Sequence, residues 1–106
     1  EPFIILGSPG GSRIITAVLQ TILNVTVHNM NIQKAVSAPR VHSQWLPDVI
    51  MAESYSIIKD VETSLINKGH KILPYKNVGD VNAILINEDG YFGGTDLRGE
   101  NTAIGY

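Results

Sequence analysis

Two consecutive glycines, Gly10 and Gly11, stand immediately before a helical pattern that begins at Arg13. Because glycine carries no side chain, a bound molecule can approach the backbone N–H groups of this pair closely. At the start of a helix these donors have no intrahelical acceptor, and the helix dipole adds positive character. The pair could therefore bind an anion such as phosphate, or stabilise the oxyanion that forms during acyl transfer. A tight turn without any ligand is the alternative interpretation.

The residues around the glycine pair match no established phosphate-binding or nucleophile motif. A P-loop counted from Gly7 would need Gly and Lys at the positions that hold Ser12 and Arg13. The sequence contains neither Gly-x-Gly-x-x-Gly nor Gly-x-Ser-x-Gly. It therefore predicts no dinucleotide site at this turn and no serine nucleophile at Ser8 or Ser12.

The other titratable residues form no catalytic or metal-binding pattern. The three histidines are far apart and are interpreted as surface or structural residues: His28, His42 and His70. Asp48 and Glu53 lie on one segment, but no other residue supports a catalytic carboxylate pair there. The sequence has no cysteine, which excludes disulfides, thiolate metal sites and cysteine nucleophiles. We therefore expect neither a metal site nor a cofactor.

Length and composition are those of a globular domain. The chain has 106 residues, of which 43% are hydrophobic and 17% charged, and this balance suits one domain with a modest core. The net charge of −2 provides no basic surface for nucleic acid. No apolar run approaches the roughly 18 residues of a membrane-spanning helix, and no signal peptide is visible. Because residue 1 is Glu, we expect the chain to be part of a longer protein.

Hydrophobic periodicity predicts short strands mixed with helices. Ser12 and Asn31 are placed to cap two of the helices, and Gly69 is placed to end a third in a left-handed conformation. Pro74 favours an edge position for its strand. The predicted strands are 3–6, 49–53, 70–75, 81–87 and the return after a hairpin turn at 88–90, and the predicted helices are Arg13 to about His28, 32–38 and 57–68.

This order of elements predicts a mixed α/β or α+β layer fold, with the tail 101–106 pairing or packing against it. The apolar faces of the predicted helices must pack against a sheet, and these short strands provide too small a surface for them. We therefore expect part of the sheet to be absent from the chain. An unpaired strand edge would then let the chain self-associate.

Three stretches carry a resemblance to a known family. The sequences are GSPGGSRIIT at 7–16, APRVHSQWLPD at 38–48 and GDVNAILINEDGYFGGTDLRGENTAIGY at 79–106. In order and spacing they resemble the C-terminal half of the small subunit of γ-glutamyltranspeptidases. The likeness covers nearly the whole chain, and the first stretch is the most specific. Residues 1–106 are thus expected to form a single-domain fragment of that subunit.

The resemblance implies a fold and an activity. The family belongs to the N-terminal nucleophile hydrolases, whose fold is a four-layer αββα sandwich, and its precursors cut themselves. The new N-terminal Thr of the small subunit attacks a γ-glutamyl amide such as glutathione, and the acyl group passes to water or to an amino acid or peptide. By this resemblance, the N–H groups of Gly10 and Gly11 form the oxyanion hole, and Ser8 and Pro9 bind substrate.

The resemblance also implies what lies outside this chain. Family members commonly carry an aromatic residue and a second His beside the residue equivalent to His42, whereas Val41 and Ser43 stand there. The nucleophilic Thr, the groups that grip the glutamyl moiety and the large subunit would lie upstream. The chain alone is therefore expected to be inactive. Its expected partners are the rest of the precursor and a γ-glutamyl substrate, and its expected location is periplasmic or secreted.

Two other hypotheses follow from the residues alone. A free-standing α/β module could bind phosphate or carboxylate at the turn from Ser8 to Ser12, with Arg13 near the ligand. The chain could also be a structural domain without a site.

Overall fold

The predicted strands and helices are present in the predicted order, and the structure adds a short strand at Val41–His42 that the sequence did not predict. A computed structural model describes residues 3–99. Its elements are β1 (Ile4–Gly7), α1 (Arg13–Thr26), α2 (Ile32–Ser37), β2 (Val41–His42), β3 (Ile50–Ala52), α3 (Lys59–Asn67), β4 (Ile72–Pro74), β5 (Asn82–Asn87) and β6 (Gly90–Thr95). The predicted mixed α/β class is confirmed, while the tail 101–106 lies outside the described residues. None of the helices in this range is long and apolar enough to span a bilayer.

The first sheet is antiparallel and carries most of the core. Its strand order is β1-β5-β6, with Leu6 opposite Ala83 and Leu85 opposite Phe92. The predicted hairpin is present, because Asn87 pairs with Gly90 across a two-residue turn. Helices α1 and α2 contribute to the same apolar cluster, which consists of Ala17, Ile32, Val36, Val81 and Ala83 with Leu6, Val25 and Leu85 at its margin. This packing places the start of α1 beside the end of β1.

The second sheet is smaller and mixed, with the order β2-β3-β4. Strand β3 runs antiparallel to β2 and parallel to β4, and α3 connects the parallel pair. Pro74 pairs with Ala52 on the edge strand β4, as its missing N–H predicts. Helix α3 buries none of its residues, so the apolar stripe that predicted this helix remains largely exposed.

Helix ends show where local prediction succeeds and where it is wrong. The side chain of Asn31 accepts the N–H of Lys34, and Gly69 has a φ of +94°, so both predicted caps are confirmed. Ser12 does occupy the N-cap position of α1, but its side chain makes no capping bond. Helix α1 also ends at Thr26 rather than near His28, whose N–H already bonds back to Leu23 in a wider turn.

Candidate functional site

The glycine pair forms a turn that joins β1 to α1. Gly10 has a φ of +132° and Gly11 a φ of +61°. Residues other than glycine rarely adopt these backbone conformations. Their carbonyl oxygens accept the N–H groups of Arg13 and Ile14 at 3.2 and 3.1 Å. Within residues 3–99, neither glycine N–H donates a hydrogen bond to the protein. Two main-chain donors are therefore available to a ligand at the start of α1.

The Ser8 hydroxyl is used inside this turn. It donates to the carbonyl oxygen of Pro9 at 2.7 Å and accepts the N–H of Asp80 at 2.9 Å. The second bond connects the turn to a loop that lies 72 residues further along the chain. The hydroxyl therefore fixes the backbone of the turn.

The loop 78–81 packs directly against the glycine turn. A Cβ added to Gly10 would lie 3.7 Å from the Cα of Gly79. A Cβ added to Gly79, where φ is +76°, would lie only 2.7 Å from the Cβ of Ala17 and 3.0 Å from the Oγ of Ser8. The two segments can approach this closely only because both carry glycine at the contact.

Two buried carboxylates hold the ends of this loop. Glu53 accepts the N–H of Val78 at 2.6 Å, and Asp96 accepts the N–H of Val81 at 2.7 Å. Both carboxylates also bind Arg98, at 2.6 Å from its Nε to Glu53 and 2.7 Å from its Nη1 to Asp96. Arg40 completes the cluster by a salt bridge to Asp96.

Electrostatics in this cluster favour the charged forms of both acids. Burial raises the pKa of Glu53, but hydrogen bonds from Arg98 and from two backbone N–H groups outweigh it and hold that pKa below its ordinary value. Burial likewise raises the pKa of Asp96, and hydrogen bonds from Arg98 and the backbone again outweigh it. The oxygens of Glu53 are thus engaged in structural bonds, which argues against a catalytic pair with Asp48.

A chain of side-chain hydrogen bonds reaches the other end of the turn. The Oε1 of Gln44 lies 2.8 Å from the Oγ of Ser12 and 2.8 Å from the Nε2 of His42. The Nδ1 of His42 lies 2.6 Å from the Oγ1 of Thr16, in the first turns of α1. His42 is therefore buried, and both of its ring nitrogens lie within hydrogen-bond distance of neighbouring side chains.

Comparison with known proteins identifies the family. The model of the γ-glutamyltranspeptidase family matches residues 1–106. This chain belongs to the γ-glutamyltranspeptidase family.

Relatives and solved structures agree with this membership. The glutathione hydrolase proenzyme of Escherichia coli is 38% identical over 100% of this chain and 18% of its own length. The Acylase ACY 1 proenzyme of a Pseudomonas strain, V22, is 40% identical over 93% of this chain and 18% of its own length. A γ-glutamyltranspeptidase from Pseudomonas nitroreducens, complexed with L-DON, superposes with a TM-score of 0.88 at 34% identity over 98% of this chain and 55% of its own. The chain thus spans about a fifth of the length of these curated relatives.

The structure brings the four predicted site residues together. Ser8, Pro9, Gly10 and Gly11 form one continuous turn. The guanidinium carbon of Arg13 lies 5.1 Å from the centre of the Tyr75 ring, a cation–π contact. Among the described residues, no group of three or more His, Cys, Asp or Glu could hold a metal ion.

Sequence reasoning missed the residues that support the turn from elsewhere in the chain. These are Gln44, Gly79, Asp80, Asp96 and Arg98. All five lie within the stretches that resemble the family, but nothing in their local spacing connects them to the glycine pair.

Proposed function

We propose that this chain is the C-terminal part of the small subunit of a γ-glutamyltransferase and glutathione hydrolase. The complete enzyme moves the γ-glutamyl group of glutathione-like substrates to water or to an amino acid or peptide. The observation that carries the proposal is the turn at Gly10 and Gly11, whose two main-chain N–H donors have no acceptor among residues 3–99. Relatives named glutathione hydrolase proenzyme support the reaction, and their name also supports maturation from a precursor.

The proposed role of the turn is to stabilise the tetrahedral intermediate. When a nucleophile attacks the γ-glutamyl carbonyl, negative charge develops on its oxygen. The N–H groups of Gly10 and Gly11 donate to that oxygen, aided by the dipole of α1. Ser8 and Pro9 shape the same turn and form the wall that the substrate contacts. The nucleophile is an N-terminal Thr supplied by the precursor outside residues 1–106, because an internal Thr has no free α-amine to act as base.

The same proposal assigns partners and location. The rest of the small subunit and the large subunit cover the apolar faces that this chain leaves exposed, on α1 and on the first sheet. Residues 1–106 form a single domain within that assembly, which needs no cofactor. The mature enzyme is periplasmic or secreted.

Replacing a backbone N–H by an ester oxygen tests the oxyanion role. In the full-length precursor, the α-hydroxy acid analogue of glycine at position 11 removes one donor and adds no side chain. We expect kcat for hydrolysis of γ-glutamyl-p-nitroanilide to fall by about 10²–10³ with little change in KM. The same exchange at Tyr55, whose side chain is 95% exposed, is the matched control and should leave kcat unchanged. Equal kcat values for the two ester proteins would contradict the proposal.

Two measurements on the isolated 106-residue chain separate this function from simple anion binding. We expect only background release of p-nitroaniline, because the nucleophile is absent. In a phosphate titration followed by NMR, saturable shifts of the amides at Gly10, Gly11 and Ser12 at micromolar phosphate would favour the anion-binding module instead. No shifts are expected for a segment that works only within its assembly.

A further inference from the structure

Gln44 connects the loop after β2 to the residue that follows the glycine pair. Its Oε1 accepts the hydroxyl of Ser12 at 2.8 Å, across 32 residues of sequence. Its Nε2 donates to the carbonyl oxygen of Leu46 at 3.0 Å. Because an amide nitrogen can only donate, this second bond fixes which end of the side chain faces Ser12. The oxygen of Gln44 is therefore the acceptor that holds Ser12.

The same oxygen is held in turn by His42. With Oε1 as an acceptor, the Nε2 of His42 must carry the proton in the 2.8 Å bond between them. The Nδ1 of this tautomer then accepts the hydroxyl of Thr16 at 2.6 Å. His42 is only 3% exposed, and its partner Thr16 lies on α1. Through His42, the side chain of Gln44 is therefore held in a fixed position relative to the helix that begins at the turn.

The C-terminal side of the glycine turn is less closely packed than the side that precedes it. Among the described residues, 3–99, a Cβ placed on Gly11 would meet no atom within 4 Å, and the carbonyl oxygen of Gly11 accepts only the N–H of Ile14. The preceding side is held differently, by the bond from Asp80 to Ser8 and by the contact of Gly79 with Gly10. Glycine backbones have more conformational freedom than any other residue, so a pair of them needs external restraint to hold a fixed geometry.

Ser12 is the obvious residue to close this gap, yet its hydroxyl does not cap the helix. It stands at the N-cap position of α1 without a side-chain capping bond and donates to Gln44 instead. We propose that Gln44 is a positioning residue, which holds Ser12 and thereby keeps the N–H of Gly11 aimed at the developing oxyanion. This inference rests on the oxyanion role proposed above and assigns the side chain that maintains its geometry.

Steady-state kinetics of the full-length enzyme test the inference. Gln44→Met keeps the length of the side chain and removes both polar groups. Because a misaligned oxyanion donor weakens binding of the transition state more than binding of the substrate, we expect kcat to fall about 10-fold while KM stays within about 2-fold. Ser12→Ala, a milder change at an exposed residue, should give a loss of similar size. The double variant should be no slower than either single one, since both remove the same bond.

Gln20→Met is the matched control. Gln20 also joins α1 to β2, because its side chain bonds to the N–H and the carbonyl oxygen of Val41 at 2.9 and 2.6 Å, but it does not reach the turn. Loss of either glutamine should lower the melting temperature. Only loss of Gln44 should lower kcat selectively.

Three outcomes would overturn the inference: an unchanged kcat in Ser12→Ala, an equal loss of kcat in Gln20→Met, or multiplying losses in the double variant. The ester exchange at Gly11 keeps this failure distinct from failure of the proposed function. If the ester lowers kcat and the Ser12 and Gln44 variants do not, only the positioning role is wrong. If the ester has no effect, the oxyanion role itself is wrong.

Discussion

Gly79 and Ala17 are in contact where the loop 78–81 crosses α1, and a Cβ on Gly79 would lie only 2.7 Å from the Cβ of Ala17. Ala17 is fully buried in the core, so it cannot move aside at low cost. The contact places Gly79 against both Ser8 and Gly10. The loop therefore forms the support behind the glycine turn.

Gly79→Ala should destabilise the protein and disturb the turn together. Gly69→Ala is the matched control, because Gly69 also has a positive φ, of +94°, but a Cβ there would meet no atom within 4 Å. Both variants bear the strain of the left-handed backbone. We expect Gly79→Ala to cost about 1–3 kcal/mol more than Gly69→Ala in urea unfolding, the usual penalty for overpacking. Equal costs would show that the loop can move away from α1.

Arg98 is expected to be the most sensitive charged residue. Arg98→Met leaves Glu53 without its guanidinium partner and removes one of the two from Asp96. Breaking such a buried cluster typically costs about 3–5 kcal/mol, because a charge stays buried without compensation. Lys68→Met, at an exposed position, should change the free energy of unfolding by less than about 0.5 kcal/mol. Urea unfolding followed by circular dichroism measures both, and a loss below about 1 kcal/mol for Arg98→Met would contradict the expectation.

Acid should loosen the loop 78–81. The ordinary pKa values of Glu53 and Asp96 are 4.5 and 3.8, and the folded protein holds both pKa values lower. A depressed folded pKa contributes stability that is complete above the unfolded pKa and is lost as the pH falls through the folded value. The free energy of unfolding should therefore fall as the pH drops below about 4.5. After correction for intrinsic rates, amide exchange in 76–82 should increase over the same range.

Glu53→Gln provides the control for this pH dependence. The amide cannot titrate, so the variant should be less stable at pH 7 and should lose less stability on acidification. A pH profile as steep as that of the unchanged protein would mean that other groups dominate acid unfolding.

Local elements could be read from the sequence because their causes are local. The helical spacing after Arg13, the Asn31 cap and the Gly69 turn each depend on neighbouring residues, and each is confirmed. Ser12 shows the limit of such reasoning. Its side chain was predicted to cap α1, but an amide oxygen 32 residues away competes for the hydroxyl.

The candidate site could be predicted only in part for the same reason. Gly10 and Gly11 are conspicuous because two adjacent residues lack side chains before a helix. Glu53 was noted as an acid, but its partner Arg98 lies 45 residues away, at the end of a different sheet. Such pairs depend on the order of strands within the sheets, which hydrophobic periodicity does not specify. The residues that hold the turn were therefore visible only in three dimensions.

The isolated chain is expected to self-associate through the outward face of its first sheet. Ile5 and Ile84 lie directly opposite one another on β1 and β5 and are 52% and 43% exposed. Among the residues that the structure describes, β1 is also an edge strand of this sheet, so its outer backbone groups can pair with another chain. We expect sedimentation velocity to show dimers or larger species whose fraction rises with concentration.

Ile5→Lys should shift the distribution toward monomer, because it places a charge on the edge strand and on the apolar face at once. Tyr55→Lys changes an exposed aromatic outside that sheet and should have no such effect. A monomer at every concentration, or equal responses to the two lysines, would show that this face does not mediate association.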